Sequence, residues 1–194
     1  GRLKYNRCLV SSTELESPYR RYRFTESGVS PRALPGMFPG EVVLVDSDEH
    51  DQNGHIIEDA ATRRLMVEKR LAKLKALAAE MDEPELYGDP DAEILLLGWG
   101  STYGVLREAV DRLFTAGLKA ALLHFSDLWP LPASRLTDLL TRAKYSFCVE
   151  NNAVGQLASL IRRQTGLMVE RQILKYDGRP FLPGEVVQEV QRHV

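Results

Sequence analysis

The sequence predicts an α/β fold: a mainly parallel sheet with helices on both faces, preceded by an extended arm and a long amphipathic helix. Three observations predict it. From residue 91 onward, short apolar runs alternate with helical stretches of about ten to fifteen residues, the pattern of right-handed βαβ crossovers. The first of these runs, Glu93 to Gly98, is short and apolar from Ile94 to Leu97, as a strand covered on both faces is. Before them, a segment dense in proline and glycine excludes any long helix.

Residues 1–40 form the arm. Ser11, Ser12, Ser17, Pro18, Pro31, Pro35 and Pro39 are scattered among Gly28, Gly36 and Gly40. Tyr19, Tyr22 and Phe24 interleave with Arg20, Arg21 and Arg23, which suits a segment lying on a surface better than a free linker. Residues 41–90 form a connection. Glu41 to Val45 is short and β-branched and reads as a strand, and the polar run Asp46 to Asp59 reads as a loop. From Ala60 to Met81 the apolar residues Val67, Leu71, Leu74, Ala78 and Met81 alternate between spacings of four and three, which predicts a helix with one narrow apolar stripe. Pro84 stops it.

Residues 91–194 form the α/β domain. Glu93 to Gly98 is a strand of the buried type, and Thr102 to Ala116 a helix with Val105, Leu106, Ala109, Val110 and Leu113 on one face, closed by Gly117. Lys119 to Phe125 is the next strand and Ala133 to Ala143 the next helix. Tyr145 to Glu150 and Gly155 to Thr165 repeat the unit, with Gly166 as a stop. Leu167 to Tyr176 is a further strand, and Pro183 to Arg192 a last helix with proline suited to its first turn.

Composition narrows the function classes. Hydrophobic residues are 44% and charged residues 27% of 194, average globular usage that excludes a disordered chain. Twenty-five basic against twenty-seven acidic residues leave no global field for nucleic acid or an anionic membrane. No apolar run approaches the roughly 20 residues of a membrane span. Cys8 and Cys148 are the two cysteines; their separation gives no zinc or iron–sulfur spacing and no disulfide framework, so a reducing cytoplasmic location is expected.

Three segments are candidates for chemistry. Gly98-Trp99-Gly100-Ser101-Thr102-Tyr103-Gly104 lies where strand becomes helix. There, backbone N–H groups can meet a phosphate, with Gly98, Gly100, Ser101 and Gly104 as candidate cofactor contacts. The alternative is a tight turn in which Ser101 or Thr102 caps the helix. The second is the acidic, histidine-bearing run Asp46, Asp48, Glu49, His50, Asp51, Asn53, His55, Glu58 and Asp59. It fails as a calcium loop, because Ile57 stands where the closing glutamate belongs. A polar turn with hydrogen-bonded His50 and His55 is expected in preference to a metal site.

The third segment, Glu150-Asn151-Asn152-Ala153-Val154-Gly155-Gln156, lies at a strand's carboxyl end, where open α/β sheets collect ligands. Asn151 and Asn152 are candidate cofactor contacts or N-caps of the next helix. Trp129, in Asp127-Leu128-Trp129-Pro130, is expected to be a packing anchor. The chain has no GxSxG elbow, P-loop or HExxH, and Asn151-Asn152 lacks the preceding Gly-Asp-Gly of thiamine diphosphate sites. A catalytic constellation is therefore not expected.

Several strings together carry a resemblance: Arg21-Tyr22-Arg23-Phe24-Thr25-Glu26-Ser27-Gly28-Val29-Ser30-Pro31-Arg32-Ala33 with Pro35-Gly36; Asp48-Glu49-His50-Asp51 with Gly54-His55-Ile56; Leu97 to Gly104; Asp127 to Pro130; Val149 to Asn152 with Gly155-Gln156-Leu157; and Lys175-Tyr176-Asp177-Gly178-Arg179-Pro180-Phe181. They resemble the later part of the alpha subunit of 2-oxoacid:ferredoxin oxidoreductases; the arm and the Asp48-Glu49-His50-Asp51 string look more like the 2-oxoglutarate branch, with the branched-chain 2-oxoisovalerate branch close behind.

The resemblance implies a complex that decarboxylates a 2-oxoacid on thiamine diphosphate with Mg2+ and passes two electrons singly through [4Fe-4S] clusters to ferredoxin. The acyl group goes to coenzyme A, or the reverse carboxylation runs. It implies as partners a pyrimidine-binding domain of the same alpha subunit and a thiamine- and cluster-binding beta subunit. The α/β domain is then similar to the transketolase C-terminal domain, and the chain serves assembly, binds none of these cofactors alone and is inactive alone. The chain starts at Gly1 rather than methionine, as a C-terminal portion would. Arg32, His50, His55, Trp129, Glu150 and Gln156 are the expected interface residues. The competing reading is a stand-alone, Rossmann-like nucleotide module built on Gly98 to Gly104.

Overall fold

The structure is a computed structural model in which residues 7–194 are described, so the first six residues of the expected arm lie outside the described residues. Two compact units divide the chain, Gly1–Glu80 and Met81–Val194.

In the first unit, residues 7–59 contain no helix and only isolated bridges, Leu9 with Arg32 and His50 with Ile56. Side chains hold the segment together. The Tyr19 hydroxyl donates to the Pro31 carbonyl at 3.1 Å and accepts from Ala33 N–H at 2.8 Å. The Tyr22 ring stacks on His50 at 3.7 Å, and Tyr22 N–H donates to the Gln52 carbonyl at 2.9 Å. The aromatics interleaved with arginines thus pin the arm to the 46–59 loop.

The strand expected over 41–45 does not form. Val42 is 75% exposed and Val45 61%; β-branched residues favour a strand only where a partner edge completes it, and none is offered here. The helix forms as expected, α1 at Ala60–Glu80, but its buried residue is Met66. Val67 and Leu71 of the expected stripe are exposed, and Leu74 is half buried. The docked side of the helix is set by cations: the Lys69 ammonium donates to the Gly28 carbonyl at 3.1 Å, and Arg63 and Arg70 both reach Glu49. Gly28 must be glycine there, since at φ +74° its Cβ would meet the Lys69 carbonyl.

The second unit runs β1 (Glu85–Gly88), β2 (Ile94–Trp99), a 3-10 turn (Gly100–Thr102), α2 (Tyr103–Thr115), β3 (Ala120–Phe125), α3 (Ser134–Arg142), β4 (Tyr145–Glu150), α4 (Gln156–Thr165), β5 (Arg171–Leu174) and α5 (Pro183–Gln191). Among the described residues the sheet has five strands in the order β1-β3-β2-β4-β5. All neighbours are parallel except β1, which pairs antiparallel with β3, Glu85 opposite His124. β1 is an element that the sequence pattern does not predict, and through it the sheet takes in residues before 91.

Alternation along the strands builds two cores. Ile94, Leu96, Leu122, Phe147 and Val149 face α2 and α5, against Leu106, Ala109, Leu113, Val186 and Val190. Leu95, Leu97, Leu123, Phe125 and Cys148 face α3 and α4, against Leu136, Leu140, Leu157 and Ile161. Both faces of the sheet are therefore covered, as the continuous apolar runs require. No helix among the described residues is long and apolar enough to cross a membrane.

Candidate functional site

The strand order creates one special place. From β2 the chain goes to β3 on one side, and β4 lies on the other; α2 leaves β2 toward one face and α4 leaves β4 toward the opposite face. A crevice opens at such a switch point, beyond the carboxyl ends of the two strands. The sequence candidates Gly98–Gly104 and Glu150–Gln156 are the two loops that flank it.

Glu150 is the centre of this crevice and is 0% exposed. Its carboxylate accepts from Leu157 N–H at 2.9 Å, Ala158 N–H at 3.2 Å, the Asn152 amide at 2.8 Å, the Trp99 indole N–H at 3.2 Å and the Cys148 thiol at 3.3 Å. Burial pushes its pKa up, but the donors, Leu157 N–H, the Asn152 amide and Ala158 N–H first among them, outweigh burial and hold it below the ordinary glutamate value. Burial and the Glu150 charge in turn push the Cys148 thiol well above its ordinary value, so it stays protonated. The Trp99–Glu150 bond ties the end of β2 to the end of β4 across the crevice.

Asn152 completes the fastening. Its side-chain oxygen accepts from Val154, Gly155 and Gln156 N–H at 3.1, 2.8 and 3.4 Å. Gly155 adopts φ 61°, and a Cβ there would run into the Gln172 amide on β5. Neither asparagine is the N-cap of α4: Gly155 takes that position with no side-chain cap, the first-turn N–H groups of Leu157 and Ala158 go to Glu150, and Asn152 folds the turn ahead of the helix. Asn151 is exposed, its amide 3.5 Å from the Arg179 carbonyl.

Across the crevice, Gly98 has room for no Cβ because Thr102 Oγ1 would lie 2.7 Å away and the Leu106 methyl closer still. Neither Ser101 nor Thr102 caps α2 with a side chain; the Thr102 hydroxyl donates instead to the Trp99 carbonyl at 2.9 Å, because a 3-10 turn brings that carbonyl within reach. His124 lies beneath, bonded to the Gly100 carbonyl at 3.2 Å, and burial lowers its basicity.

Residues that periodicity did not single out close the outer part. A cleft of about 440 Å³ is lined by Ser101, Asn151, Lys175, Tyr176, Gly178, Arg179 and Pro180. Its cations are balanced locally: the Lys175 ammonium binds Glu185 at 2.7 Å, and the Arg179 guanidinium binds Asp177 at 2.6 Å. The signal for it was in the Lys175–Phe181 string, whose proximity to Ser101 only the sheet reveals.

The other expected residues are dispersed. Trp129 is not a core anchor: it is 49% exposed, with the Arg163 guanidinium 5.6 Å over its ring. Its strand ends at Phe125, and the intervening residues carry the indole clear of the core. Gln156 is exposed beside Val154, Ser159, Leu160 and Arg163 in a second, more open groove. His50 lies inside its unit under Tyr22, its Nδ1 3.0 Å from the Asp51 carbonyl, and Glu150 is internal, so neither presents a surface. His55 is exposed, 3.7 Å from Asp51. Arg32 is half buried, and its Nε has no hydrogen-bond partner.

The donor set limits what this chain could hold. A [4Fe-4S] cluster takes four thiolates, and the chain has two cysteines, one exposed and one buried. Among the described residues no three His, Cys, Asp or Glu side chains converge on one point. Two cysteines do not fit the cluster.

Comparison with known proteins agrees with this geometry. Residues 92–187 match the family described as pyruvate:ferredoxin oxidoreductase core domain II. Subunit alpha of 2-oxoacid:ferredoxin oxidoreductase 1 from Aeropyrum pernix is 39% identical over 161 residues, covering 80% of this chain and 25% of that protein. The 2-oxoglutarate oxidoreductase subunit KorA of Mycobacterium tuberculosis is 34% identical over 172 residues, 87% of this chain and 25% of that protein. The 2-oxoglutarate:ferredoxin oxidoreductase of Magnetococcus marinus, solved with 2-oxoglutarate, coenzyme A and succinyl-CoA bound, superposes with a TM-score of 0.78 at 31% identity, over 91% of this chain and 31% of that one. The chain spans about a quarter of the length of these curated relatives. Relatives that run along four-fifths or more of its residues, and the domain II match from β2 onward, make the chain a member of the 2-oxoacid:ferredoxin oxidoreductase alpha-subunit family.

Proposed function

We propose that this chain is the part of a 2-oxoglutarate:ferredoxin oxidoreductase alpha subunit that serves assembly and shapes the surroundings of the active site, and that it performs no chemistry alone. In this reading residues 1–40 run between domains, 41–90 connect, and 91–194 form the transketolase-like scaffold. Thiamine diphosphate, magnesium, the [4Fe-4S] cluster and coenzyme A are held by the rest of the complex, a pyrimidine-binding domain and a beta subunit. Bound there, they supply decarboxylation, electron transfer to ferredoxin and acyl acceptance in the cytoplasm. The observation that carries this reading is Glu150: the one fully buried carboxylate at the switch point spends its oxygens on Leu157, Ala158, Trp99 and Asn152 and keeps none for a substrate. Similarity to proteins named for 2-oxoglutarate supports the choice of substrate.

The test is an assay of the purified chain with 2-oxoglutarate, coenzyme A and an electron acceptor. No turnover is expected until the remaining parts of the alpha subunit and a beta subunit are added. Turnover by the chain alone overturns the reading. The cleft beside Ser101 favours one other reading, a nucleotide site at Gly98–Gly104. Titration with NAD(P)H, ATP or coenzyme A, followed by the fluorescence of Trp99 and Trp129, decides between them: saturation supports the nucleotide site, and an unchanged signal supports the scaffold.

A further inference from the structure

Helices α2, α3 and α5 each neutralise their own cations. Glu108 pairs with Arg112 on α2, Asp138 with Arg142 on α3, and Glu189 of α5 with Arg192 just beyond its end. Helix α4 differs: it has two arginines, Arg162 and Arg163, and no acidic residue. Both are exposed, and neither guanidinium forms an ion pair or a hydrogen bond among the described residues. Arg163 lies instead over the Trp129 ring, 5.6 Å from its centre. We propose that the groove along α4 is a docking site for an acidic segment of a partner chain, in which a carboxylate meets Arg163 and an adjoining apolar side chain covers Val154 and Leu160.

Shape points to a polypeptide. Gln156, Ser159, Leu160 and Arg163 recur at the spacing of one helix face, opposite Leu157, Ala158 and Ile161, which are buried against the sheet. Together with Val154 they line a groove of about 470 Å³. A groove open along a helix encloses too little of a small molecule, because small-molecule sites bury most of their ligand. A side chain arriving on another polypeptide brings its own cover. Val154 is 69% exposed and Trp129 49%, and tryptophan beside arginine is the pairing of residue types that dominates the energy of protein interfaces.

Charge selects the occupant. Arg163 is the charged member of the groove, and its polar neighbours Gln156 and Ser159 are neutral. A cation in the last turn complements the helix dipole, but the dipole gives the guanidinium N–H groups no acceptor. Stacking on Trp129 uses the face of the guanidinium and leaves its edge free. A carboxylate fits that edge with parallel N–H···O bonds. A second copy of the same groove would set Arg163 against Arg163, which like charges oppose.

The groove goes beyond the assignment to an enzyme complex, and its test reads binding by the chain itself, so its failure leaves the turnover assay untouched. The probes are three end-blocked hexapeptides with leucine at the two central positions and glutamate, glutamine or lysine at the outer four. Each is titrated into the isotope-labelled chain and followed by NMR. The glutamate peptide is expected to shift the Trp129 indole N–H and the amides of Val154, Gln156, Ser159 and Arg163 saturably. Its affinity should exceed that of the glutamine peptide about threefold or more, and the lysine peptide should leave these signals unmoved. Arg163→Glu, an exposed charge reversal, should transfer the preference to the lysine peptide while the amide spectrum stays that of the folded chain. Trp129→Ala should weaken the glutamate peptide several-fold. Equal affinity of the glutamate and glutamine peptides, shifts centred elsewhere, no shift in any titration, or binding indifferent to either variant overturns the proposal. So does light scattering that shows a dimer of the chain dispersed by Trp129→Ala, which would make the occupant a second copy.

Discussion

Removing the Glu150 carboxylate leaves the Leu157, Ala158 and Trp99 N–H groups without their acceptor in a buried setting. Glu150→Gln keeps the shape but turns an amide N–H2 toward those donors, and it is expected to cost about 2–4 kcal/mol in urea denaturation; a loss below about 0.5 kcal/mol would show that the fastening is not used. The pH dependence has a definite sign. A carboxyl held below its ordinary value contributes stability that is complete above that value and is lost as pH falls through the lower, folded one. The acid limb of the stability profile should therefore flatten in Glu150→Gln; coincident limbs refute the attribution. His124, whose basicity burial lowers, adds a separate loss: the unfolded chain takes up its proton first as pH drops through the ordinary imidazole range. At Gly155, alanine meets both a left-handed φ of 61° and the Gln172 amide. Gly155→Ala should cost about 1–3 kcal/mol, and adding Gln172→Ala should recover the steric part but not the backbone part, as a double-mutant cycle will read.

At the scale of elements, what was legible depended on partners close in sequence. The strands from Ile94 to Glu150 were legible because both their faces are buried and each is punctuated by glycine or polar turns. The β-branched run at 41–45 misled because nothing pairs with it, and β1 escaped notice because Glu85–Gly88 carries just Leu86 and Tyr87 as apolar residues. In α1 the 4-3 spacing correctly announced a helix and wrongly announced its buried side, because Met66 and the cations that flank it dock instead. Hydrogen exchange checks this picture: amides from Leu71 to Glu80 should exchange orders of magnitude faster than those of β2, β3 and β4. Equal protection would mean that α1 is already covered along its whole length.

At the scale of the whole chain, the two units meet in sequence at Glu80 and Met81. Limited proteolysis at 81–82, ahead of Glu83 and Pro84, which bind Arg135, should release a fragment ending at Val194 that unfolds in one cooperative step. Failure of that fragment to fold would show that the first 80 residues are integral to the sheet unit. The switch-point crevice was legible only in part. Gly98–Gly104 and Glu150–Gln156 could be placed at strand ends by pattern, but the cleft joins Ser101 to Lys175 and Arg179, more than seventy positions away, and only strand order brings them side by side.

That strand order also decides what becomes of the sheet's two margins. Both outer strands, β1 and β5, are four residues long, so an incoming chain would find few free N–H and C=O groups to zip onto. β1 is flanked by Pro84, which has no N–H to offer, and β5 opens with the cation Arg171. Short, charged and proline-guarded margins discourage edge-to-edge fibril growth. The same two strands that complete the fold thus leave little free edge for another strand to pair with.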